Sequence, residues 1–454
     1  MSTNYPLPGA FAGRMREQLG PSAGAYFAAL ERPYLRGLRL NPRKPVPNLR
    51  GLVEGIGEPV PWYPAHGRYL SLESGAGADP LHEAGAYYLQ EPSAMAPVSV
   101  LAPVPGERVL DLCAAPGGKS TQIADALDGK GLLVCNEPVP GRARILSRNL
   151  ERMGVINALA VSAEPEQLCG LWPDAFDAVL VDAPCSGEGM FRRHPEARAE
   201  WSAQSPAGCA ARQRRILTCA CRMLKPGGRL VYSTCTLNLE ENEQTVAWLL
   251  ENEPGMEAVS FSLTVGDGSL TAPDGTLHLY PHEIRGEGHF VALLRKGMHS
   301  GKASTDFLPA ASRLQTSPKA LLDAYGGFAA SLVSGGEALP PANACLGNAL
   351  IFAPDLPPLD GIRVLRAGLQ LGALKGKVFA PDHALAMGLP QSCPFPRLPL
   401  SREAALTYQR GGTPAAPEAL RGYALATWQG LALGFGKARG GPFKNHYPKG
   451  LRRP

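Results

Sequence analysis

Arg108-Val109-Leu110-Asp111-Leu112-Cys113-Ala114-Ala115-Pro116-Gly117-Gly118-Lys119-Ser120 is the stretch from which the fold can be read. Val109 and Leu110 have the character of a buried strand, Asp111 stands at its carboxyl edge, and Ser120 to Leu127 resumes with helical apolar spacing. A strand, a glycine turn and a helix make the ligand-binding corner of an open α/β sheet. Glycines let the backbone close on a ligand, and the free amides at the helix start favour polar or anionic groups. The spacing departs from the dinucleotide GxGxxG fingerprint, which disfavours a nicotinamide cofactor. The next apolar run, Leu132 to Asn136, is followed by Glu137, an acid placed to hold ribose hydroxyls.

Outward from this corner, strands are predicted at Arg108–Asp111, Leu132–Asn136, Ala158–Ser162, Ala178–Val181 and Arg229–Ser233, with helical patterns between most of them. That alternation is the βαβ signature of a parallel sheet covered by helices, so residues 101–297 read as a Rossmann-like catalytic domain. Leu224 to Gly228 reads as a glycine-ended helix entering the last of these strands. Asn238 is placed to cap the following helix, with Glu241 supplying the reciprocal contact. Thr276–Leu279 and Phe290–Leu294 suit a terminal hairpin.

The 454 residues exceed what a single core organises, roughly 250–300 residues. No apolar run approaches the ~18 residues of a membrane span, and the N-terminus lacks a signal peptide's apolar core. Ten cysteines without a C-x-x-C pair argue against a zinc module and supply no disulfide framework. A reducing cytoplasm and no metal are expected. The net charge of +5 hides an asymmetry: residues 1–50 carry eight Lys/Arg against two Asp/Glu, and residues 410–454 carry eight against one. Basic ends around a mildly acidic middle suit a polyanion held by flanking parts, although a solubilising surface would look the same.

Residues 1–100 open with helical patterns at Pro8–Leu19 and Ala23–Leu30, then a short strand at Arg36–Leu40 and proline-broken pieces around Trp62 and Tyr63. Leu81 to Gln90, with Tyr87 and Tyr88, reads as a turn or helix. Basic residues interleaved with aromatics can hold unstacked bases, or the aromatics can be the domain's own core. Residues 298–317 read as a linker and 318–400 as an accessory unit containing Val364 to Gly372. Residues 401–454 read as a final unit with short strands at Tyr423–Thr427 and Leu431–Phe435, then a basic tail.

Two further stretches sharpen the reading: Val181-Asp182-Ala183-Pro184-Cys185-Ser186-Gly187, and Val231-Tyr232-Ser233-Thr234-Cys235-Thr236 followed by Glu241-Asn242-Glu243. Both place a cysteine after a strand on the ligand-binding edge. With Asp111 to Lys119 they resemble the three signature motifs of the S-adenosylmethionine-dependent RNA cytosine-5 methyltransferases, nearest to the bacterial RsmF-like ribosomal RNA branch. The likeness extends to Leu279–His282, Gly286–Gly288, Phe290 and Lys444–Gly450, and so covers most of the chain. It implies an N-terminal RNA-contacting extension, a Rossmann-like methyltransferase domain and a C-terminal PUA-like RNA-binding region.

Such chemistry has clear demands. Cytosine C5 is a weak nucleophile until a thiolate adds to C6, and the adduct must later lose the C5 proton and expel the thiolate. The resemblance implies Cys235 as the nucleophile, Cys185 in product release, Asp182 on the base and possible contact with the cofactor, and Lys119 beside the site. Lys119 could lower a thiol's pKa electrostatically. Swapped roles for the two cysteines stay open on sequence alone. For S-adenosylmethionine the matching positions are Cys113, Ala114, Ala115, Pro116, Gly117, Gly118 and Lys119 in the loop, Glu137 at the ribose, Arg142 nearby, and Glu164 on the adenine side. His194 stands where the family usually has an acid. Exocyclic-amine methylation is disfavoured, because Asp182-Ala183-Pro184-Cys185 puts a cysteine where that chemistry needs an aromatic face. Ribosomal RNA of the small subunit is the expected substrate. Transfer RNA, or a non-catalytic role as an RNA-binding or ribosome-assembly factor, are the alternatives.

Overall fold

The computed structural model describes residues 5–265, 268–298, 317–332 and 339–452, so the segment read as a linker falls almost wholly outside the described residues. An N-terminal sheet is formed by β1 (Arg36–Leu40), β2 (Ile56–Pro59), β3 (Gly67–Leu70) and β4 (Tyr87–Leu89), in the order β2-β3-β1-β4. The central sheet begins with β5 (Arg108–Asp111), β6 (Leu132–Asn136), β7 (Ala158–Ser162), β8 (Phe176–Asp182) and β9 (Leu224–Thr234). These five run parallel as 7-6-5-8-9, with helices between them. β10 (Met256–Ala258), a hairpin of β11 (Phe261–Val265) with β12 (Gly268–Ala272), β13 (Thr276–Leu279) and β14 (His289–Lys296) follow. β14 pairs antiparallel with β9, β10 and β13, which gives the terminal hairpin expected from the sequence.

The chain order reverses between β5 and β8, and at such a switch point a crevice opens beyond the carboxyl ends of the strands. All five residues of β6 are buried, as befits a parallel strand covered on both faces. The glycine turn fits its neighbours closely. A Cβ at Gly117, whose φ is 111°, would lie 3.2 Å from Leu146 Cδ1, and one at Gly118 would lie 3.3 Å from the Tyr88 ring. The N-terminal sheet is thereby seated against the glycine turn.

Several local expectations are corrected. The helix Ser205–Met223 ends without glycine, and Leu224 to Gly228 belongs to β9. Lys225 to Gly228 bulge opposite Asp177, held by Lys225 Nζ at 2.6 Å from Asp177 Oδ1. Asn238 and Glu241 do exchange reciprocal hydrogen bonds of 2.8 and 2.7 Å, but the helix starts only at Glu243, so they form a loop brace rather than its cap. Leu81 to Gln90 divides into a helical turn, Pro80–Glu83, and β4. Trp62, Tyr87 and Tyr88 are buried, so they serve the core and offer no face to a base.

The remaining strands are β15 (Ala344–Leu346), β16 (Ala349–Phe352), β17 (Arg363–Ala367), β18 (Leu369–Lys375), β19 (Val378–Pro381), β20 (Arg397–Pro399), β21 (Arg421–Trp428), β22 (Leu431–Arg439) and β23 (Phe443–Asn445). The run Val364 to Gly372 does not lie wholly in the accessory unit: β17 pairs with β7 at the edge of the central sheet, and β18 joins β16 and β19. Gly368 makes the switch at φ 68°, where a Cβ would sit 2.2 Å from Phe352 O. β20 to β23 form the last sheet. Its inner face shares one apolar cluster with the N-terminal sheet, in which Leu38, Leu70 and Tyr87 join Leu433, Phe443 and Tyr447.

Candidate functional site

At the switch point a cleft of about 610 Å³ is lined by Leu112, Cys113, Ala115, Glu137, Arg142, Glu164, Asp182, Cys185 and Cys235, with Pro138, Val139 and Pro140. Pro165, Glu166, Ala183, Pro184, Arg212, Arg215 and Ile216 complete it. That volume is within the usual range for small-molecule sites, roughly 300–1,000 Å³. Glu137 follows β6 directly and is only 2% exposed; its Oε1 accepts from Val139 N at 3.0 Å and its Oε2 lies 3.4 Å from Arg142. Arg142 in turn donates to Ala115 O at 3.1 Å. A buried carboxylate facing a nucleoside-sized cleft suits ribose hydroxyls, so the residues present fit S-adenosylmethionine.

Cys185 and Cys235 reach the cleft from the loops after β8 and β9, and their sulfurs are 3.3 Å apart. The hydrogen bond with Cys235, followed by burial, pushes the Cys185 thiol well above its ordinary range. Asp182 ends β8 opposite Ser233 of β9, whose hydroxyl donates to Oδ1 at 2.9 Å. Lys119 Nζ is 2.7 Å from Asp182 Oδ2, and His289 Nε2 is 3.6 Å from Oδ1. Burial would raise the Asp182 carboxyl, but Lys119 and then His289 override it and hold it far below the carboxylate range. Burial raises Asp111 to about 7, even though Ser120 donates to it at 2.6 Å.

Glu241 ties the two cysteine loops together. Its Oε2 accepts from Ser186 N at 3.0 Å and from Gln213 Nε2 at 2.8 Å, while Oε1 accepts from Asn238 at 2.7 Å. Ser186 also meets Thr236 Oγ1 at 2.9 Å. The N-terminal helices back the same loops, with Phe11 edge-on to Phe191 at 5.0 Å and Gln18 donating to Leu237 O at 2.8 Å.

Of the residues singled out from sequence, Cys113, Ala115, Glu137, Arg142, Glu164, Asp182, Cys185 and Cys235 meet in the cleft. Ala114, Pro116, Gly117 and Gly118 shape the turn behind it without lining it, and Lys119 is paired with Asp182. His194 pairs with Glu196 on the exterior. Sequence reasoning missed Arg212, Arg215 and Ile216, although their spacing puts them on one face of the helix Ser205–Met223. It also missed His289, which sits between Gly288 and Phe290. Among the described residues no group of His, Cys, Asp or Glu could hold a metal, and no helix is long and apolar enough to cross a membrane.

Residues 98–295 match the family of the 16S rRNA methyltransferase RsmB/F, and residues 7–92 match the N-terminal domain of 16S rRNA methyltransferase RsmF. Residues 337–389 match the first C-terminal domain of RsmF rRNA methyltransferase, and residues 395–453 the methyltransferase RsmF PUA domain. Ribosomal RNA small subunit methyltransferase F of Klebsiella pneumoniae strain 342 is 36% identical, across 98% of this chain and 97% of that protein. The protein of that name from Cronobacter sakazakii is 35% identical, across 98% and 96%. A crystal structure of a methyltransferase homologue from Pyrococcus horikoshii is similar with a TM-score of 0.54 at 32% identity, covering 63% of this chain and 94% of the other. The structure of NSun6 from the same organism with SFG has a TM-score of 0.55 at 22% identity, over 64% of this chain and 98% of that one, a likeness of fold.

Proposed function

Since the chain belongs to the RsmF family of small-subunit ribosomal RNA methyltransferases, we propose that it methylates C5 of a cytosine in that RNA through a covalent Cys235 adduct. The observation that carries this reading is the pair of thiols, brought to 3.3 Å from separate loops beside Asp182 at a nucleoside-sized cleft. S-adenosylmethionine, when bound, supplies an electrophilic methyl group. Glu137 and Arg142 would hold its ribose end, and Glu164 its adenine side. Asp182, fixed by Lys119 and Ser233, would face the cytosine and stabilise positive character at N3.

Cys235 gives up its proton to solvent, the thiolate forms the S–C6 bond, and the electron pair of the C5–C6 double bond moves onto C5, making that carbon nucleophilic. After C5 has been alkylated its proton leaves to a base, the C5–C6 double bond returns, and the S–C6 bond breaks to give back the thiolate. Cys185, kept as a thiol, donates to the Cys235 sulfur and so assists its departure. Cys185 and Cys235 are both free, as this chemistry requires. The test is methyl transfer to small-subunit ribosomal RNA lacking the modification, read by bisulfite sequencing. One protected cytosine is expected. A methyl group on another atom, or transfer only to transfer RNA, would overturn the reading.

A further inference from the structure

A second cleft, of about 450 Å³, lies between the two C-terminal units and is built from elements that take no part in the thiol site. Phe328 from the helix Lys319–Ala330, Phe379 from β19 and Tyr423 from β21 line it, with Lys377, Arg421 and Lys437. The strand register explains the clustering. Tyr423 pairs with Lys437, and Lys437 pairs with Lys444, so an aromatic ring and two lysines form one cross-strand row. Lys437 Nζ lies 5.1 Å from the centre of the Tyr423 ring. Like charges directly opposite in a sheet oppose pairing, and the row keeps them nonetheless.

A second observation points the same way. His446 stands edge-on to Tyr423 at 5.4 Å, and its imidazole is lowered by burial and then by Lys444, Lys375 and Lys437. These lysines therefore converge on one place. Among the described residues none of Lys375, Lys377, Lys437 and Lys444 is ion-paired with a carboxylate. Unneutralised cations around the half-buried Tyr423 ring are what an anion with a planar apolar part requires.

We propose that this cleft holds one unpaired nucleotide of the RNA substrate, the base against the half-buried ring of Tyr423, which the buried Phe328 and Phe379 back from the core, and the flanking phosphates on Lys437, Lys444 and Lys377. The proposal rests on the RNA reading above and adds a fixed point of attachment apart from the reacting cytosine. A base stacked within a duplex hides its faces and cannot reach a recessed ring, whereas a splayed base can.

The test uses the full chain with a short labelled oligouridylate, a duplex RNA of equal length and small-subunit ribosomal RNA. Cofactor affinity and melting temperature serve as folding controls. Lys437→Glu with Lys444→Glu should weaken oligouridylate binding by about tenfold or more. Tyr423→Leu keeps apolar bulk but removes the stacking face, and should cost roughly tenfold for the single strand with little effect on the duplex. Thiouridine photocrosslinking of the unaltered protein should label the peptide of β21 and β22. Wild-type affinity in both variants, or crosslinks confined to other elements, would overturn the proposal while leaving RNA binding intact. Equal loss for single strand and duplex in the lysine variant, with Tyr423→Leu silent, would reduce the cleft to a charged surface and also overturn it. If the unaltered chain bound none of the three RNAs, the RNA reading would fall as well.

Discussion

At the scale of single residues, the two thiols should separate by phenotype. Cys235→Ala should abolish methyl transfer while cofactor binding persists, because the cleft around Glu137 is untouched. Cys185→Ala should instead trap a covalent protein–RNA species, seen as a slow band in a denaturing gel. Turnover intact in either variant would remove that cysteine from its proposed role. Asp182 gives a pH test. A carboxyl held below its ordinary range keeps its charge, and the stability that goes with it, above that range and loses both as pH falls through the depressed value. In Lys119→Met the largest influence opposing burial is gone while His289 still lowers the group, so the carboxyl protonates at higher pH and the acid limb of kcat/KM should move upward. An unmoved limb would show that Lys119 does not set the charge of Asp182. Glu241→Gln puts an amide N–H where the carboxylate accepts from Ser186, Gln213 and Asn238, leaving a buried donor facing donors. A loss of about 1–3 kcal/mol in stability is expected, read as a lower melting temperature. A reduced kcat should accompany it, with cofactor KM unchanged.

At the scale of elements, the five parallel strands were legible because each is a short apolar run bounded by turn residues. The cysteine loops were legible because their motifs adjoin those strands. β17 was not legible as part of the central sheet. Its residues look like any other strand, and only Gly368, by switching the chain to another sheet, divides Val364 to Gly372 in two. The Glu241 brace was half legible: local spacing gave Asn238, but the contacts to Ser186 and Gln213 arise from distant parts of the chain. The β17 pairing carries its own prediction. A chain ending at residue 297 would lose the cover on β7, the Trp172 Nε1 bond of 2.8 Å to Pro358 O, and the packing of Leu359 and Ile362 on the main core. Each of those two side chains represents about 1.5–3 kcal/mol of apolar burial. The truncated protein should therefore melt lower and aggregate through its open edge. A melting curve matching that of the full chain would show the methyltransferase part to be independent.

At the scale of the whole molecule, the charge asymmetry of the sequence acquires a geometry. The basic N-terminal and C-terminal parts share one apolar cluster, and Arg402 reaches Asp79 at 3.4 Å across their contact. Deleting residues 410–454 would thus unmake the core under β1 and β4, and Phe443 and Tyr447 are buried there instead of being free to stack. The clean test is charge neutralisation on the exterior. Arg410→Gln with Lys449→Gln should lower the log–log salt slope of RNA binding by roughly 0.7–0.9 for each phosphate that is no longer neutralised, with cofactor affinity unchanged. An unchanged slope would assign those two residues to solvent.

The shared cluster also has a consequence for biosynthesis. A chain leaves the ribosome N-terminus first, and its domains ordinarily fold in that order. Here Leu38 and Tyr87 emerge long before Leu433 and Phe443, which complete their packing. The first sheet must therefore wait, with an apolar face uncovered, until nearly the whole polypeptide has been made. Any product of interrupted translation keeps that face exposed, and is marked for chaperones and proteases by the part of itself that was made first.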